Sequence, residues 1–128
     1  MALQQVQRRY EKALGELKSR LVSELRDQIE MIIVYGSVAR EDATAESDID
    51  VMIISSYSKQ IEDAISAIRT ENDLKYETAT TLILYTPEEF EHRMEMGVPL
   101  IGNVLKEGRA LHGKERFRGY QKALSVGG

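Results

Sequence analysis

Two short apolar runs constrain this chain more than any other feature. Met31-Ile32-Ile33-Val34-Tyr35 is β-branched at its centre and unbroken by polar residues. Asp48-Ile49-Asp50-Val51-Met52-Ile53-Ile54 repeats the pattern after two carboxylates at its start. A continuous apolar run of this length, bounded by polar segments, predicts a buried strand. Gly36 ends the first strand. Thr80-Thr81-Leu82-Ile83-Leu84-Tyr85 gives a third.

The intervening segments change period. Leu3, Val6, Tyr10, Leu14, Leu17, Leu21, Leu25 and Ile29 recur in steps of three or four, one face of a long helix over 2–28. Residues 37–47 hold one helical turn and a loop. Ile61, Ile65 and Ile68 mark a second helix over 59–71, capped by Ser58 or Ser56 and punctuated by Asn72-Asp73. Thr86, Pro87 and Glu89 spell a capping box for a helix that reaches about Met96 and closes at Gly97. A further helix starts near Pro99 and closes at Gly108. Residues 109–128 are polar and basic, with a frayed end at Ser125-Val126-Gly127-Gly128. One small sheet with helices on a face is the economical arrangement.

Composition narrows the classes of function. The chain has 128 residues, 42% hydrophobic and 30% charged, which suits a single domain over 1–128. Cysteine is absent, which excludes disulfides and thiolate chemistry. No apolar run approaches the ~20 residues of a membrane span, and the first residues lack a secretory core, so a cytoplasmic location is expected. The formal charge of −4 argues against a general nucleic-acid coat. It is uneven: residues 106–122 carry six Lys or Arg against two Glu, a local +4, so the rest sums to −8.

The chemistry concentrates in Gly36-Ser37, ten further residues, then Asp48-x-Asp50. Residues i and i+2 of a strand share a face, so the two carboxylates stand close together. Like charges so placed raise each other's pKa. A divalent cation relieves that repulsion, and oxygen donors suit Mg²⁺ with triphosphate oxygens completing its shell. Gly36 leaves room for backbone to approach a phosphate. Ser37 offers a hydroxyl and an N–H at a helical turn, and Arg40 follows on the same turn. His92 and His112 have no supporting cluster and read as surface or interface residues. Phe90, Met94 and Met96 read as core or interface, and Tyr10 and Tyr35 as core.

The stretch GSVAREDATAESDIDVMI resembles the signature of the minimal nucleotidyltransferases of the DNA polymerase β superfamily. LILYTPEEF and NVLKEGRALHG add to the likeness, which covers roughly residues 17–113. The resemblance implies an α+β nucleotidyltransferase fold, a small mixed β-sheet flanked by helices. It implies that Gly36, Ser37 and Arg40 hold the phosphates of ATP or another NTP, and that Asp48 and Asp50 bind Mg²⁺. An acceptor hydroxyl would attack the α-phosphorus and release pyrophosphate. Members of this size often pair with a small all-helical protein of the HEPN type, some as the antitoxin of a two-gene pair. Two positions depart from the family pattern. Glu41 stands where a glycine often follows the arginine. The third strand has no acid where a third catalytic carboxylate is usual, and Glu77, just upstream, reaches it only through a register shift.

Three functions are therefore weighed. The first is a Mg²⁺-dependent nucleotidyltransferase acting on a protein or small-molecule hydroxyl, with Asp48, Asp50 and Glu77 catalytic. The second is a catalytically weak nucleotide-binding partner of a helical protein. The third is a nucleic-acid binder using the basic segment 109–128. The short chain leaves little room for an acceptor pocket, so a homodimer or a helical partner is expected to supply a second wall.

Overall fold

In the computed structural model, which describes residues 2–127, the two apolar runs pair antiparallel at the centre of a four-stranded sheet. They are β1 (Ile29–Tyr35) and β2 (Ile49–Ser55). On one side β2 pairs in parallel with β3 (Thr80–Tyr85), and on the other β1 pairs antiparallel with β4 (Arg109–His112). The order is β3-β2-β1-β4, a mixed sheet.

Helices cover both faces. Ile32, Val34, Val51 and Ile53 pack under α1 (Ala2–Leu25) and α3 (Lys59–Tyr76). Met31, Ile33, Met52 and Ile54 pack under α4 (Pro87–Glu95), α5 (Pro99–Glu107) and α6 (Lys114–Gly127). Successive side chains of a strand point to opposite faces. A run in which every residue from 31 to 34 and from 51 to 54 is buried therefore needs cover on both. The arrangement with helices on one face is corrected on that ground.

The capping signals are realised. The Ser58 hydroxyl accepts from the Ile61 N–H at 3.1 Å, and Thr86 and Glu89 form the reciprocal capping box with Pro87 in the first turn. The predicted end at Asn72-Asp73 is not. α3 continues to Tyr76 because both side chains bond outside their own turn. The Asn72 amide donates to the Ala13 carbonyl at 2.9 Å in the α1–α3 contact. The Asp73 carboxylate accepts from the Thr78 hydroxyl at 2.7 Å, and from the Thr80 N–H at 3.0 Å and hydroxyl at 2.6 Å.

The basic segment is also more ordered than its composition suggests. Residues 109–112 form the β4 edge strand, and α6 begins after Gly113, whose φ is +75° and whose hydrogen side faces the Glu30 carbonyl and Met31. Phe117 is buried, and Tyr120 meets Phe90 edge-on with ring centroids 5.1 Å apart. Two of the segment's cations bond to acids of the body, Arg109 to Glu11 at 2.7 Å and Arg116 to Glu30 at 3.0 Å. α6 reaches Gly127, and Gly128 lies outside the described residues. Among the described residues no helix is long and apolar enough to cross a membrane.

Asn72 is 2% exposed and its oxygen has no partner among the described residues. Asn72→Ala removes the bond to α1, and chemical denaturation is expected to show a loss of about 1–2 kcal/mol.

Candidate functional site

The β1–β2 register builds the site. Tyr35 is the partner of Asp50, so the turn that leaves β1 lies beside the start of β2. That turn is Gly36, at φ +74°, opening the short helix α2 (Gly36–Arg40). A Cβ at Gly36 would collide with the Asp50 carboxylate. Glycine is thus required twice here, for its backbone conformation and for its bareness against the acid. Tyr35, at the N-cap, supplies no side-chain bond to the helix end. Ser37, half-buried, sits in the first turn.

The loop from Glu41 to Asp48 is tied down from α1. The buried Tyr10 donates its hydroxyl to the Thr44 carbonyl at 2.7 Å and the Ser47 carbonyl at 3.1 Å. The Thr44 N–H bonds the Ser47 hydroxyl at 2.9 Å. Asp48, exposed, ends this loop immediately before β2, and Asp50, half-buried, is the second residue of the strand.

No protein hydrogen bond reaches either carboxylate among the described residues. Asp50's pKa is pushed up by burial first and by the charge on Asp48 second, with Arg40 pulling it back. The Tyr35 phenol is likewise raised, by burial and then by the charges of Asp50 and Tyr85. Arg40 is held by Asp42 at 3.2 Å and by Glu107 of α5 at 3.1 Å, and these bonds raise its pKa. It lies close enough to act on Asp50 but is bound elsewhere. Glu107 is the residue that sequence reasoning missed; it stands 67 positions from Arg40 and no local signal joins them.

Asp50 shares its face of the sheet with Met52 and Ile54, and its register partner on β3 is Thr81. A cross-sheet row therefore reads Tyr35, Asp50, Thr81. Glu77 does not join it. It is exposed at the C-cap of α3, at φ +55°, three residues before β3, and the register shift that would bring it beside Asp50 is not made. Among the described residues no group of three or more His, Asp or Glu side chains could hold a metal. The donor set is two carboxylates, hard oxygens suited to a divalent cation that takes its other ligands from water or phosphate. The site is an open sheet end. A groove of about 650 Å³ between the first turns of α1 and Glu41 includes neither carboxylate.

The family model described as "Polymerase beta, Nucleotidyltransferase" matches residues 16–116, which contain this turn and both acids. The chain belongs to that nucleotidyltransferase family. Among the relatives of this family member are two candidate protein adenylyltransferases of Methanocaldococcus jannaschii. One is 36% identical over 102 residues, 80% of this chain and 97% of the relative. The other is 32% identical over 74 residues, 56% and 75%. The fold also matches a crystallised toxin–antitoxin with AMP-PNP, at a TM-score of 0.59 and 12% identity over 86% of this chain and 82% of that one. A variant of the toxin–antitoxin MntA-HpeT matches at 0.57 and 11%, over 85% and 81%.

The raised pKa of Asp50 has a thermodynamic consequence. An acid that binds its proton more tightly when folded loses stability as pH rises from the unfolded value, near 3.8, through the folded one. Asp50→Asn, without divalent cations, is expected to raise the unfolding midpoint at neutral pH by a few degrees. It should also flatten the fall in stability over that window, as followed by thermal melts across a pH series.

Proposed function

We propose that this family member transfers a nucleoside monophosphate from ATP or another NTP to a hydroxyl of a protein or small molecule. The observation that carries the reading is the contact between Gly36 and Asp50. The bare turn lies directly against the Asp50 carboxylate, which supports a phosphate bound at the turn beside a cation on the acids. Ser37 and the N–H groups opening α2 would bind phosphate oxygens. Arg40 would turn from Glu107 and Asp42 to the same phosphates. Asp48 and Asp50 would hold Mg²⁺, which when bound supplies neutralisation of charge on the attacking and leaving oxygens. Glu77 stands apart from this group.

The acceptor reading draws on the relatives described as candidate protein adenylyltransferases. The structural likeness to a toxin–antitoxin with AMP-PNP supports ATP as the nucleotide and an antitoxin role beside a partner protein; a small all-helical HEPN-type protein is the partner that the family resemblance implies. A second reading, a nucleotide-binding partner with weak turnover, is favoured by one observation: Thr81, not an acid, stands beside Asp50 on β3. A nucleic-acid role draws less support, because Arg109 and Arg116 are engaged by Glu11 and Glu30.

The test is incubation with α-labelled ATP, Mg²⁺ and the protein encoded beside this one. Label is expected on the partner, with Asp48→Asn and Asp50→Asn each reducing it about 100-fold or more. Label that persists equally in both variants would overturn the transferase reading. A stable complex that binds nucleotide and never transfers label supports the second. Arg40→Ala is expected to weaken ATP binding about tenfold while leaving the fold intact, as read by calorimetry and circular dichroism.

A further inference from the structure

The two edges of the sheet are unlike. β4 is four residues long, begins with Arg109, ends with His112 and shows a register shift against β1. These are devices by which natural sheets discourage further pairing. β3 has none of them. It is six residues, Thr80–Tyr85, without charge, proline or bulge, in unbroken register with β2. Apart from the Thr80 N–H, which bonds Asp73, its free edge leaves backbone donors and acceptors to be satisfied. Its apolar residues Leu82, Ile83, Leu84 and Tyr85 are only half-buried, whereas the apolar residues of β1 and β2 other than Tyr35 are buried.

A groove of about 470 Å³ runs along this edge between β3 and α3. Its floor includes Leu82 and Leu84, and its α3 wall carries Glu62, Ser66 and Arg69. The charges are ordered along the strand. Glu62 stands at the Leu84 end, where it shares a second groove with Thr86 and Glu89. Arg69 stands toward the Thr80 end, one helical turn before Asp73, whose carboxylate bonds Thr80.

We propose that the β3 edge pairs antiparallel with the β3 edge of a second copy of this chain, joining two four-stranded sheets into one. A two-fold axis perpendicular to the sheet keeps like faces together and requires residues of equal parity to oppose one another. Centred on Ile83, it sets Leu82 against Leu84 of the second copy and Thr81 against Tyr85. The same axis passes beside Ser66, the small residue at the middle of the groove wall. It carries Arg69 of each copy toward Glu62 of the other, so the charge order along α3 is complementary to its own two-fold image. A parallel partner strand would set Glu62 against acid and Arg69 against base. An incoming helix would leave the edge backbone unpaired, because its N–H and C=O groups are bonded internally. The pairing also extends the row Tyr35, Asp50, Thr81 by Tyr85 of the second copy, which brings an aromatic side chain from another molecule to the carboxylate end of the sheet.

Sedimentation equilibrium of the full chain over a concentration series tests this. A dimer is expected. Arg69→Glu and Glu62→Arg should each weaken it about tenfold, and the double variant should restore it. Leu82→Lys, which puts a charge on the edge, should abolish it. Backbone amides of β3 should exchange faster on dilution in the wild type. A chain that stays monomeric throughout the series would overturn the proposal. So would a dimer that survives Leu82→Lys and both single charge changes with undiminished affinity. If Leu82→Lys proves unfolded by circular dichroism, the charge-swap pair and its rescue decide the matter.

Discussion

The antiparallel register of β1 on β2 is the constraint on which the rest of the molecule depends. Tyr35 faces Asp50, Val34 faces Val51 and Ile33 faces Met52. Because side chains alternate, a slip of one residue would turn Asp50 toward α1 and α3 and send Val51 into the opposite layer. Burial on both faces makes that slip prohibitively costly. The same pairing brings the exit of one strand to the entrance of the next, so the Gly36 turn and the acids at the start of β2 meet without a dedicated scaffold. Tyr10 then holds the connecting loop by two of its carbonyls.

The candidate site was legible because its parts are contiguous. Gly36, Ser37, Arg40, Asp48 and Asp50 lie within fifteen residues, and Asp48, just before the strand, is close enough to Asp50 in sequence for their charges to interact. Ser58 and Thr86 were legible for the same reason, since a cap is a local bond. The misreadings involve distant partners. Asn72-Asp73 looks like a helix stop until Asn72 finds the Ala13 carbonyl, 59 residues away. The segment 109–127 looks like a solvated basic tail because the apolar residues it packs inward, among them Leu111, Phe117 and Tyr120, are sparse among charges. Only the free side of β1 and the ring of Phe90 give them a place. Helices on both faces could have been inferred from the unbroken apolar runs themselves.

The electrostatics of the site differ from those of a structural ion pair. Several surface acids elsewhere are matched: Glu16 with Lys75, Glu71 with Arg20, Glu11 with Arg109. Asp50 is half-buried beside a second acid, its charge opposed by its surroundings, while the nearby Arg40 is engaged by Asp42 and Glu107. Such an arrangement costs stability and keeps the carboxylate oxygens free of protein donors. The basic segment, by contrast, spends part of its charge on neutralising the acidic body.

The position of β4 bears on how the chain comes into being. β1 is an inner strand, yet its second neighbour is made of residues 109–112, some eighty positions later. Without residues 109–112, the sheet would have three strands, and its most apolar strand, β1, would lie open along one side. Without α6, the layer beneath α4 and α5 would also lack Phe117. Closure of such long-range pairing is slow compared with helix formation. The polypeptide should therefore stay open to aggregation until β4 and α6 are in place, and truncation before residue 109 should yield an aggregating fragment rather than a smaller version of the fold.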